Sequence, residues 1–124
     1  MRILYVTDAL AVWGGLERVL VEKANWLIEN SNFEVTILTT SQCNRPYVYT
    51  LNPKVSLIDL DIRFHDQYQH RGFRRYTKAI RLHRRFRDLM RSHLQQTKPD
   101  VIDCVRLDLM ADVLKVKGAI PLVY

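Results

Sequence analysis

Five short runs rich in β-branched and aliphatic residues recur along the chain, at residues 3–6, 35–39, 55–60, 101–105 and 120–124. Polar or turn-forming residues bound each one, which is how strands read. Three of the runs are almost continuously apolar instead of alternating. A strand that is apolar on both faces belongs to a sheet covered on both sides, and such sheets are mostly parallel. Parallel neighbours need long crossover connections, and the intervening segments supply them. Leu16, Val19, Leu20, Lys23, Ala24, Leu27 and Ile28 keep the three-four spacing of one helical stripe, which Asn30, Ser31 and Asn32 stop. Over residues 73–96, Phe73, Tyr76, Ala79, Ile80, Leu82, His83, Phe86, Leu89, Met90 and Leu94 fall on one broad side of a second helix. Arg74, Lys78, Arg81 and Arg85 fall on the other, and Lys98-Pro99-Asp100 breaks the helix. A third helix, over 107–117, turns Leu109, Met110, Val113 and Leu114 inward and stops at Gly118. Stretches 41–52 and 63–72 are polar, lack a helical period and read as loops. The order βα, β, βα, βα, β with right-handed crossovers predicts an α/β fold: a Rossmann-like, doubly wound parallel sheet of about five strands.

Composition agrees with that architecture. The 124 residues are 48% hydrophobic and 26% charged, with four Gly and four Pro, which suits one globular domain and excludes disordered or collagen-like chains. No apolar run approaches the ~18 residues that would span a bilayer, and residues 3–6 are too few for a signal-peptide core. The expected location is cytoplasmic. Cys43 and Cys104 lack C-x-x-C spacing and read as two reduced thiols. His65, His70, His83 and His93 share no ligand spacing, so no metal site is expected.

The net charge of +6 is concentrated. Residues 71–91 hold nine of the 19 basic side chains and one of the 13 acids, so this segment carries +8 and the remainder −2. An ordinary surface helix pairs opposite charges along its face; this one barely can. Either Arg74, Lys78, Arg81 and Arg85 form a solvated outer face, or they contact something anionic. An anionic membrane surface, at the inner face of the cell membrane, is the first expectation, because Phe73 and Tyr76 sit at the start of the helix. Nucleic acid is second, since no helix-turn-helix, RNP or KH signature accompanies the charge.

The first strand runs into Thr7-Asp8-Ala9-Leu10-Ala11-Val12-Trp13-Gly14-Gly15 and then the first helix. Adjacent glycines there remove the Cβ atoms that would hold an anion away from free N–H groups at a helix N-terminus, and the helix dipole adds attraction. The spacing is neither G-x-G-x-x-G nor a P-loop, which counts against dinucleotide redox chemistry and P-loop hydrolysis. Around this loop, Asp8, Trp13, Glu17, Asp103 and Arg106 are candidate acceptor or cleft residues. Each also has a plain structural reading: Asp8 as turn organiser, Trp13 as a half-buried ring, Glu17 as an acid favoured by the helix dipole.

Taken together, Met1-Arg2-Ile3-Leu4-Tyr5-Val6, Gly14-Gly15-Leu16-Glu17-Arg18-Val19-Leu20, Glu34-Val35-Thr36-Ile37-Leu38, Lys98-Pro99-Asp100-Val101-Ile102 and Ile120-Pro121-Leu122-Val123 resemble the start of retaining glycosyltransferases of the GT4 group, with the two-domain GT-B fold. The Gly-Gly-x-Glu-Arg segment is the most specific part. The resemblance implies an N-terminal domain that receives a glycan or lipid-linked acceptor, a C-terminal domain that binds a nucleotide diphosphate sugar, and catalysis in the cleft between them. It places Gly14 and Gly15 in the loop facing the donor phosphates. It also implies no cofactor and no metal, because helix N-termini and basic side chains neutralise the leaving diphosphate. The family's histidine after the strand at 120–124 is missing, and so is its second domain with paired glutamates. Residues 1–124 are therefore expected to form a single, incomplete N-terminal domain that is inactive alone. The alternative is a non-catalytic α/β module that docks through residues 71–91.

Overall fold

Strand β1 (Arg2–Thr7) forms the centre of the sheet. In the computed structural model, which describes residues 1–11, 13–43, 45–62 and 71–123 and only the backbone of Leu107, it is followed by α1 (Gly15–Asn30), β2 (Glu34–Thr39) and β3 (Ser56–Asp59). Then come α2 (Phe73–Thr97), β4 (Val101–Cys104), α3 (Leu107–Val116) and β5 (Leu122–Val123). The sheet order is β3-β2-β1-β4-β5, and every pairing is parallel. This is the doubly wound Rossmann-like α/β sheet that the apolar runs predict. The expected loop at 63–72 falls mostly outside the described residues, as does Tyr124.

Continuous apolarity in β1 has a direct cause. Leu4 and Val6 point to the face covered by α2 and α3, where they join Leu38, Phe86, Met90, Ile102 and Val113. Tyr5, between them, points to the face covered by α1 and joins Leu20, Val21, Ala24, Val35 and Ile37. Alternation along a strand persists, but both sides are core.

The helices bury narrower stripes than their sequence period predicts. In α1 the buried residues are Leu20, Val21 and Ala24, while Leu16 and Val19 stay exposed on the flank beside β4. In α3, Leu109 and Val113 are buried and Leu114 is exposed. Helix α2 departs most, because its buried residues are Leu82, Phe86, Met90 and Leu94, and Phe73 is 84% exposed. Length explains the difference. At 1.5 Å per residue the 25 residues of α2 run roughly 37 Å, whereas the six-residue strands run roughly 20 Å. The buried portion matches the sheet, and the first nine residues extend past that portion: Tyr76, Ala79 and Ile80 border an open groove against Asp108, Ala111 and Asp112 of α3, and Phe73 stands farthest out.

The direction of the overhang is fixed by the other end of α2. Lys98 caps it at φ 45°, with its N–H donating to the Leu94 carbonyl, and the Thr97 carbonyl accepts from Arg2 at the start of β1. The helix C-terminus therefore lies at the amino edge of the sheet, and its N-terminal turns project past the carboxyl edge. Asp112, buried on α3, accepts from His83 at 2.5 Å and Arg87 at 3.2 Å, tying the packed part of α2 to α3.

Candidate functional site

The chain leaves β1 toward one face through α1 and leaves β4 toward the other through α3. In an open α/β sheet, the crevice beyond the carboxyl ends of such a divergent strand pair is where ligands bind. Four segments meet there: residues 8–11 with 13–14, the start of α1, the turn after β2, and the start of α3.

A buried polar network holds the first of these. The Asp8 carbonyl accepts from the Thr40 and Ser41 N–H groups, and its carboxylate accepts from the Thr40 hydroxyl at 2.8 Å. Gln42, almost fully buried, accepts from the Leu10 N–H at 2.7 Å and donates to the Arg45 carbonyl. Asp59, at the end of β3, accepts from the N–H groups of Gln42 and Cys43. The turn-organising reading of Asp8 is thus realised. The same carboxylate also adds to the field around Arg106.

At α1 the helix begins without a side-chain cap. Gly14 is extended, and the first helical bond runs from the Arg18 N–H to the Gly14 carbonyl at 3.0 Å. The N–H groups of Gly15, Leu16 and Glu17 precede that bond and have no helical partner. The two glycines differ in their surroundings. A Cβ at Gly14 would collide with the Glu17 carboxylate, which folds back over it; a Cβ at Gly15 would meet nothing within 4 Å. Neither backbone needs a positive φ. Gly15 therefore leaves open space in front of free donors without any demand from the fold itself.

Around this opening stand an aromatic pair and a cation. Trp13, 75% exposed, meets Tyr49 edge to face at 4.9 Å, and the Tyr49 hydroxyl donates to the Gly14 carbonyl. Arg106 lies at the start of α3, and a hydrogen bond to Asp108 raises its pKa above the ordinary value. Partial burial opposes that rise, and the charges of Asp108, Asp8 and Glu17 add to it. The edge thus gathers Asp8, Gly14, Gly15, Glu17 and Arg106, with the exposed Trp13 next to Gly14 in the chain.

Asp103 is set apart. It pairs in register with Tyr5 and faces the flank of α1, in a groove of about 180 Å³ shared with Leu16, Val19, Lys23 and Val105. Burial raises its pKa and Lys23 opposes the rise. Arg74, Lys78, Arg81 and Arg85 are set apart too, on the N-terminal half of α2. Among the described residues, none of these four has an acid within salt-bridge distance, in contrast to Arg87 and Arg91 farther along. Tyr49 and Gln42 are site-forming residues that the sequence reading left inside a plain loop. The only signal for Tyr49 is a second tyrosine, Tyr47, two positions earlier in a polar stretch.

No family model matches the chain, and no curated protein matches it. Solved structures do match by fold. One is the crystal structure of TcCGT1 in complex with UDP, at a TM-score of 0.56 and 11% identity, covering 94% of this chain and 26% of that one. The chain thus spans about a quarter of the length of TcCGT1. What the two share is the parallel α/β fold.

Proposed function

We propose that the protein is the N-terminal, acceptor-side part of a retaining glycosyltransferase. It moves a sugar from a nucleotide diphosphate sugar to a glycan or lipid-linked acceptor. The observation that carries this reading is Gly15: a position with no packing reason to be glycine, at an uncapped helix start whose first three N–H groups have no helical partner, at the carboxyl edge between β1 and β4. Support comes from the GT4-like order of motifs along the chain and from UDP in TcCGT1, whose fold this domain shares.

In this reading the N–H groups of residues 15–17 and the guanidinium of Arg106 face the donor diphosphate. Negative charge that builds on the leaving group is met by fixed donors and a helix N-terminus, so no metal or organic cofactor is called for. Trp13 offers a flat face to a sugar ring. Asp8 and Glu17 accept from hydroxyls, and Asp103 does so from the adjoining groove. Contacts to the nucleotide base come from a second domain, and residues 1–124 alone do not turn over.

The test is Gly15→Val in the full-length enzyme, assayed with labelled nucleotide sugars. The branched side chain enters space that the phosphate must use, while nothing in the fold opposes it. A fall of at least about a hundredfold in kcat/KM, the scale of losing an oxyanion-type donor, is expected with the melting temperature nearly unchanged. Unaltered kcat/KM sinks the assignment. The second reading, a non-catalytic module acting through α2, is favoured by the excess of nine basic over one acidic residue across positions 71–91. It predicts no transfer from any nucleotide sugar by the full-length protein.

A further inference from the structure

The overhang of α2 has an organised surface. Phe73, Tyr76 and Ile80 are 84%, 65% and 47% exposed and stand at helical spacing three and four apart. On the wheel they form one ridge about 60° wide. Arg84 flanks that ridge, and Arg74, Lys78, Arg81 and Arg85 form the next strip around the helix. No acid occurs from residue 71 to residue 87. The C-terminal half of the same helix differs, since its Arg87 and Arg91 are paired and its Phe86, Met90 and Leu94 are buried.

Solvent alone does not account for the pattern. A helix that only had to be soluble here would keep the cations and discard the exposed Phe73 and Tyr76. A surface for a nucleic acid backbone would use the cations and gain nothing from an isoleucine beside them. An apolar ridge bordered by cations matches the boundary of an anionic bilayer, where rings sit among the head groups and guanidinium groups meet phosphates. Among the described residues, no helix is long and apolar enough to cross a membrane, so contact through this helix is superficial.

We propose that the N-terminal half of α2, residues 73–85, docks the protein on a bilayer of anionic phospholipid, with Phe73, Tyr76 and Ile80 entering the interface and Arg74, Lys78, Arg81, Arg84 and Arg85 meeting the phosphates. Because the overhang projects past the carboxyl edge, docking brings that edge to the membrane. The proposal does not depend on the transferase reading; where both hold, it selects a lipid-linked acceptor over a soluble glycan.

Co-sedimentation of the full-length protein with phosphatidylcholine vesicles, with and without phosphatidylglycerol, tests it. Binding is expected only with the anionic lipid and is lost in high salt. Each basic residue near such a surface is worth roughly fivefold, so Arg74→Glu, Arg81→Glu and Arg85→Glu together lower the partition by at least about a hundredfold. Phe73→Ser with Tyr76→Ser, which leaves the charge intact, lowers it about tenfold. Phe73→Trp reports insertion: its emission shifts to the blue on anionic vesicles and is quenched by brominated lipid. Equal partition onto neutral vesicles overturns the proposal. So does binding that survives the triple reversal in a variant with an unchanged melting curve. Tighter binding to duplex DNA or RNA, with no response to the Phe73 and Tyr76 changes, assigns the surface to nucleic acid instead. The assay uses no sugar donor, so its failure leaves the transferase reading to stand or fall separately.

Discussion

The two edges of the sheet are built from similar residues and left in opposite states. At the amino edge the polar groups close on one another: Arg2 pairs with Glu34 at 3.0 Å, its N–H donates to Asp100 at 2.7 Å, and its guanidinium reaches the end of α2. At the carboxyl edge a helix starts without a cap, a tryptophan stands exposed, and Arg74, Lys78 and Arg81 of the overhang have, among the described residues, no acid within salt-bridge distance. Both edges have carboxylates and guanidinium groups. Those groups are bonded at both edges, Arg106 to Asp108 at the carboxyl edge; what differs is the uncapped start of α1 and the exposed Trp13. A parallel sheet must end on both sides, and here one end is finished while the other is prepared for something else.

Substitutions at matched positions break or sharpen that contrast. Reversing charge with Arg106→Glu sets a fourth acid beside Asp8, Glu17 and Asp108. On the transferase reading proposed above, it lowers kcat/KM of the full-length protein at least about tenfold, on the scale of a lost charge-assisted hydrogen bond, with a small change in melting temperature. Steady-state kinetics over a range of donor concentrations checks it. Asp8→Ala removes the acceptor of the Thr40 hydroxyl and costs about 1–2 kcal/mol in a denaturant titration. At the finished edge, Arg2→Ala costs under about 1 kcal/mol, because both partners are solvated, and leaves kcat unchanged. A loss of turnover there would erase the distinction between the edges.

The smallest effect is one of pH. Asp103 has its pKa raised by burial beside Tyr5, with Lys23 opposing. The folded protein therefore holds this proton more tightly than the unfolded chain does. Stability from this group is present below the ordinary carboxylate value and is lost as pH rises through the folded value. Asp103→Asn, which cannot ionise, gains on the wild type toward neutral pH, and the gap closes in acid. Melting temperatures of the two proteins across that range check the sign.

Much of this was legible in the residues. The period placed a helix over 73–96, and it spans Phe73–Thr97; the continuous apolar runs marked a sheet covered on both faces, and β1 buries Leu4, Tyr5 and Val6 on alternate sides. Gly14-Gly15 pointed to an open helix start, which is what stands there. The overhang was hidden, because exposure of Phe73, Tyr76 and Ile80 follows from the mismatch between a long helix and short strands, which no local period records. Asp112, Gln42 and Tyr49 were hidden for a related reason: their partners lie between 17 and 36 residues away, apart from the local bonds to Arg45. Asp103 follows Ile102 in a strand, and only the packing of α1 shows which face it takes.

The central claim is that the carboxyl edge between β1 and β4 receives a nucleotide diphosphate. Amide resonances of the full-length protein, followed as UDP is added, test it most directly. The account predicts that Gly15, Leu16 and Glu17 shift together with the indole N–H of Trp13, while Arg2, Glu34 and Asp100 stay in place. Unmoved resonances at residues 15–17 with UDP bound, or shifts centred on the amino edge, would contradict it.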